Sequence, residues 1–98
     1  MEIRIQTIHF EASQQLESFI QKKVAKLEKY YDGIIAAEVV LKVIKPEAAM
    51  NKEASIKLEV PGPDLFATKN SNTFEESIDV VVEALERQLG KLKEKQKK

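Results

Sequence analysis

The chain has 98 residues, 16 basic and 16 acidic, no cysteine, and no apolar run near the ~20 residues of a membrane span. That composition leaves room for one domain, residues 1–98, and excludes a disulfide framework, a thiolate metal site and a membrane-spanning helix. A net charge of zero argues against nucleic acid at first, but the charges are unevenly placed, so distribution matters more than the sum.

Glu2 to Ile8 alternates, with Ile3, Ile5 and Thr7 on one side and Arg4 and Gln6 on the other, the pattern of a half-buried strand. Its start lacks the basic and apolar blocks of a secretory signal, so a cytoplasmic protein is expected. After the connection His9-Phe10-Glu11-Ala12, Ser13 is placed to cap a helix. Leu16, Phe19, Ile20, Val24, Leu27 and Tyr31 then form its apolar face, and Asp32-Gly33 ends it. Lys22, Lys26 and Lys29 fall at i, i+4 and i+7, a single stripe on the other side. Lys23 lies near the apolar face, where its stem can pack while the ammonium reaches the rim.

Ala37 to Ile44 predicts a second strand, residues 45–53 a loop, and Ala54 to Val60 a third strand in clean alternation. Pro61-Gly62-Pro63-Asp64 is a turn, Leu65 to Lys69 a short fourth strand, and Asn70-Ser71-Asn72 a lead into the last element. Thr73 and Glu76 have the spacing of a capping box, and Ile78, Val81, Val82, Leu85, Leu89 and Leu92 recur on one helical face. A helix over residues 73–98 would span roughly 39 Å, longer than a domain of this size can cover, so its end should project. Its first half is acidic outside (Glu75, Glu76, Asp79, Glu83, Glu86). From Arg87 onward Arg87, Lys91, Lys93, Lys95, Lys97 and Lys98 stand against Glu94 alone, which makes a basic tail of about residues 90–98.

The order β-α-β-β-β-α predicts an α+β fold: a four-stranded mixed sheet with two helices packed on one face, laid out like a double-stranded-RNA-binding domain. Helices lying side by side would present Lys22, Lys26 and Lys29 together with Arg87 and Lys91 as one patch, suited to RNA phosphates. Little supports an enzyme. His9 is the only histidine and has no nucleophile or ligand at a recognisable spacing, so we expect no catalytic residue. Dipole-favoured surface acids explain the carboxylates better than a metal site, and three scattered glycines make no phosphate loop, so no metal or cofactor is expected. Of Tyr30 and Tyr31, one reads as core and the other as a half-exposed helix end able to stack on a base.

The chain resembles the ribosome hibernation-promoting factors, a family that includes ribosome-associated inhibitor proteins. The resemblance runs through Val24-Ala25-Lys26-Leu27-Glu28-Lys29-Tyr30-Tyr31, Val39-Val40-Leu41-Lys42-Val43, Ile78-Asp79 and Leu85-Glu86-Arg87-Gln88-Leu89 followed by Lys91. It implies a cytoplasmic protein that binds the small ribosomal subunit in the channel used by mRNA and tRNA and stops translation in idle ribosomes. We further expect a protein that is monomeric off the ribosome and has neither DNA nor membrane as a partner. Lys23, Lys26, Lys29, Arg87 and Lys91 match the family's basic helix surface, to which the charge stripes add Lys22, Lys93 and Lys95. Where members commonly show an Asp-Met-Tyr segment, this chain has Thr73-Phe74-Glu75, which keeps a cap and an apolar filler but loses an aromatic surface contact. Long members carry a further domain that pairs ribosomes; with a sequence ending at Lys98, the likeness is to the short form. The competing expectation is a protein-binding adaptor that uses the acidic side or the open sheet face.

Overall fold

The computed structural model describes residues 1–45 and 49–96, the side chains of 95 and 96 excepted. Along the chain come β1 (Glu2–Ile8), α1 (Gln14–Ala25), a 3-10 turn (Lys26–Lys29), β2 (Ala36–Val43), β3 (Lys52–Glu59), β4 (Leu65–Ser71) and α2 (Phe74–Gln96). The strands lie in the order β1-β2-β3-β4, with β1 parallel to β2 and the other pairs antiparallel. The expected element order and mixed sheet are therefore the observed ones.

Register decides which residues meet the helices. Ile3 pairs with Ala37 and Ile5 with Val39; Val39 pairs with Ile56 and Ala37 with Leu58; Leu58 pairs with Leu65 and Ile56 with Ala67. Side chains alternate along each strand, so these residues share one face. Leu16, Ile20, Val24 and Leu27 of the first helical segment and Phe74, Ile78, Val81, Val82, Leu85 and Leu89 of α2 join them in a single core. Each aliphatic side chain fully buried there stabilises the fold by roughly 1.5–3 kcal/mol relative to exposure. Both helices cover the same sheet face. α2 packs mainly on β3 and β4 and α1 mainly on α2, so Ile3 and Ile5 on the edge strand β1 are only half-buried.

The other sheet face is open and polar. The Arg4 guanidinium lies 3.5 Å from Glu38 and 3.4 Å from Glu59, and the Lys57 ammonium lies 3.2 Å from Glu38. The hydrogen bond that Lys57 donates to the Glu38 carboxylate, together with the charge of Glu38, holds the Lys57 pKa above its ordinary value. Phe66 continues that cross-strand row and is 55% exposed.

Three boundaries among the described residues differ from expectation by two residues or more. Regular α1 ends at Ala25, and the 3-10 turn closes it with Tyr30 N–H donating to the Leu27 carbonyl at 3.0 Å, so Tyr31 lies outside the helix. β3 begins at Lys52, because Ile44 N–H donates to Asn51 at 2.8 Å and shortens the β2–β3 connection. β4 runs on to Ser71 because that longer β3 gives residues 69–71 a partner. Of the expected loop, residues 46–48 lie outside the described residues.

Candidate nucleic-acid interface

Spacing delivers the lysines to the outer surface. With Leu16, Ile20 and Val24 of α1 and Leu27 of the 3-10 turn buried, Lys22 of α1 and Lys26 at the start of the turn are both left exposed. The 3-10 turn keeps Lys29 in line with them: at three residues per turn, i and i+3 eclipse, so Lys29 follows Lys26 along one ridge. On α2 the core stripe leaves Arg87 exposed, its Nε donating to the Glu83 carbonyl at 3.5 Å. Lys91 leans towards β4, beside Leu65, Gln88 and Leu92. Lys93 leans towards the first helical segment, where it borders a hollow with Lys29, Tyr31, Asp32 and Gly33. The Lys95 side chain and the tail residues 97–98 lie outside the described residues.

Lys23 has a different setting from its neighbours. Its ammonium lies 2.9 Å from Asp79 of α2 and 5.6 Å from the centre of the Phe19 ring, so it ties the two helices together. Its half-buried stem matches the sequence expectation; the carboxylate partner was not foreseen.

The two basic clusters do not merge into one sheet of charge. A groove of about 310 Å³ runs between the helices, lined by Lys23, Lys26, Asp79, Val82, Glu83 and Glu86. Asp79, Glu83 and Glu86 stand at i, i+4 and i+7, the same spacing as Lys22, Lys26 and Lys29. Two cationic ridges thus flank an acidic strip. The sequence signal was present in that spacing, but treating the carboxylates as dipole partners hid it. Asp79 is paired with Lys23, whereas among the described residues Glu83 and Glu86 have no cation within 4.0 Å.

The frame that holds these ridges is set locally. Ser13 Oγ accepts from Leu16 N–H at 3.1 Å and Thr73 Oγ1 from Glu76 N–H at 3.1 Å, so both residues cap, while among the described residues Glu76 returns no bond to Thr73 N–H and the box is half-made. Ser77 Oγ, buried, donates to the Lys52 carbonyl at 2.7 Å and pins α2 to β3. Phe74 is buried and stacks on Phe10 with ring centres 4.6 Å apart, which anchors the start of α2 and draws the β1–α1 connection into the core. Tyr30 is exposed, Tyr31 half-buried against the core. His9 is exposed, with a φ of 71°. Among the described residues no group of acidic or histidine side chains is placed to hold a metal ion, and no helix is long and apolar enough to cross a membrane.

Residues 3–97 match the family described as Sigma 54 modulation protein / S30EA ribosomal protein, and the chain belongs to that family. It is 34% identical over 97 residues to the ribosome hibernation promoting factor of Escherichia coli strain K12, an alignment covering 99% of this chain and 98% of that one. To the ribosome hibernation promoting factor of Pseudomonas putida strain KT2440 it is 31% identical over 96 residues, 98% of this chain and 90% of that one. Among solved structures, the N-terminal domain of Thermus thermophilus Protein Y superposes with a TM-score of 0.82 at 26% identity, covering 94% of this chain and 99% of that one. A ribosomal subunit interface protein from Coxiella burnetii gives a TM-score of 0.85 at 22% identity, with 95% and 98% covered, a likeness of fold. The family suggested by the residues around Val24–Tyr31 and Leu85–Lys91 is thus the family to which the chain belongs.

Proposed function

We propose that this protein is a cytoplasmic ribosome hibernation factor. It binds the small ribosomal subunit through the outer ridges of α1 and α2, occupies the mRNA and tRNA channel, and keeps idle ribosomes out of translation. The observation that carries this reading is the exposure of Lys22, Lys26, Lys29 and Arg87 along the two helical segments of a domain from this family. Lys91, on the β4 side of α2, and Lys93, on the side of the first helical segment, add positive charge to either flank. The lysines act as point charges against rRNA phosphates, and the Arg87 fork can take one phosphate through two N–H groups. Lys23, bound to Asp79, acts chiefly by holding the ridges at a fixed separation. The work is binding and steric exclusion, with no reaction catalysed.

Co-sedimentation with purified small subunits at several salt concentrations tests this. Neutralising about five phosphates makes affinity fall with roughly the fourth power of salt concentration. Lys26→Glu combined with Arg87→Glu is expected to release the protein, weakening binding at least tenfold, with its thermal melting unchanged. Wild-type protein that stays in the supernatant at low salt would overturn the reading. A second reading, an adaptor for another protein, is favoured by Phe66 standing exposed on the open sheet face. It predicts binding that tolerates salt and is indifferent to the double charge reversal.

A further inference from the structure

We propose that the hollow where the 3-10 turn meets the end of α2 is a seat for one backbone phosphate of RNA. This rests on the ribosome-binding reading and sharpens it, naming one point of contact and adding Tyr31 and Gly33 to the residues that make it. The hollow measures about 290 Å³ and is walled by Lys29, Tyr31, Asp32, Gly33 and Lys93. Its two ammonium groups come from different elements, and among the described residues neither has a carboxylate within 4.0 Å. The stripe of α2 that faces the first helical segment carries Asp79 and Glu86 along the groove and turns cationic only at Lys93. Beside Asp79 a lysine already has its counter-ion; beside Lys93 the cations outnumber Asp32, and a bound anion would relieve their repulsion.

Tyr31 supplies a donor in a fixed position. Its ring packs half-buried on the core, and among the described residues its hydroxyl makes no hydrogen bond. Gly33 makes that position possible: a Cβ there would lie 2.6 Å from Tyr31 Cε2 and 3.1 Å from the hydroxyl oxygen. Two ammonium groups and a phenol O–H around one small hollow match the two non-bridging oxygens of a phosphodiester. The hollow is open on one side, and Lys29 belongs both to it and to the 3-10 turn that carries Lys26. A phosphate within a strand can therefore sit in it while its neighbours lie along the ridge.

The test is an NMR titration of the full chain with uridylyl-uridine, which has one phosphodiester, beside uridine and inorganic phosphate as separate probes. Uridylyl-uridine is expected to move the Gly33 amide and Tyr31 ring signals, and uridine to leave them in place. Lys29→Ala with Lys93→Ala should weaken that response at least tenfold, and Tyr31→Phe, which keeps the ring, several-fold. A flat response to uridylyl-uridine, an unchanged response in the double variant, or movement with inorganic phosphate alone would each overturn the proposal. Co-sedimentation separates it from the broader reading. Subunit binding with a flat titration removes only the seat, and a positive titration without subunit binding removes only the ribosome.

Discussion

Gly33 and Tyr31 depend on each other at a distance where one added methyl group matters. The tyrosine ring occupies the space a Cβ on residue 33 would need, and Tyr31 is itself partly buried against the core. Gly33→Ala is therefore expected to destabilise the fold by about 1–3 kcal/mol, the usual cost of overpacking, read as a lower urea midpoint with the slope unchanged. Little of this was legible in the sequence, where Asp32-Gly33 reads only as a helix ending. Lys23 divides in the same way. That its stem would pack and its ammonium reach the rim followed from its place beside the apolar stripe. Its pairing with Asp79 did not, because the carboxylate comes from a helix far along the chain whose rotation about its own axis only packing decides. As a partly exposed pair it contributes no more than about 1 kcal/mol, so its worth lies in setting the spacing of the helices.

At the level of elements, the ends were legible wherever a side chain enforces them and illegible where only pairing does. Ser13 and Thr73 each accept the predicted cap hydrogen bond. Thr73→Ala is expected to cost about 1 kcal/mol, measured by chemical denaturation, since it leaves an N–H at the start of α2 without its partner. By contrast, Asn70 and Ser71 read as a lead-in because their propensities are poor for a strand, yet both pair with β3. The end of α1 was misread for a related reason. Tyr31 keeps the helical spacing of the apolar face, but it reaches the core from outside the helix, after a 3-10 turn has already closed the backbone.

For the molecule as a whole, neutrality conceals a pattern: basic ridges on either side of an acidic strip. The fold class was legible because strand alternation and helix periodicity agree with a single layer order. The strip was not, since seeing it required knowing that the Asp79-Glu83-Glu86 face of α2 turns towards α1. A polyanion laid on the ridges meets those carboxylates unfavourably. Glu83→Gln with Glu86→Gln is therefore expected to tighten binding to small subunits and to unrelated RNA by several-fold at low salt, with the difference fading as salt rises. Affinities from co-sedimentation and from filter binding to a homopolymer check this; unchanged or weaker binding would show that the strip makes favourable contacts of its own.

The position of β1 has a kinetic consequence. It is joined to the sheet through a parallel ladder with β2 alone, and α1 lends it little cover, so Ile3 and Ile5 keep part of their surface in water. Releasing it breaks one ladder and leaves α2 seated on β3 and β4. Amide protons of residues 3–8 should thus exchange with deuterium well before those of Val39 to Leu41 or Ile56 to Leu58, through openings that stop short of global unfolding. That strand would then be the first part of the sheet to let go, a breathing edge away from the strands beneath the long helix.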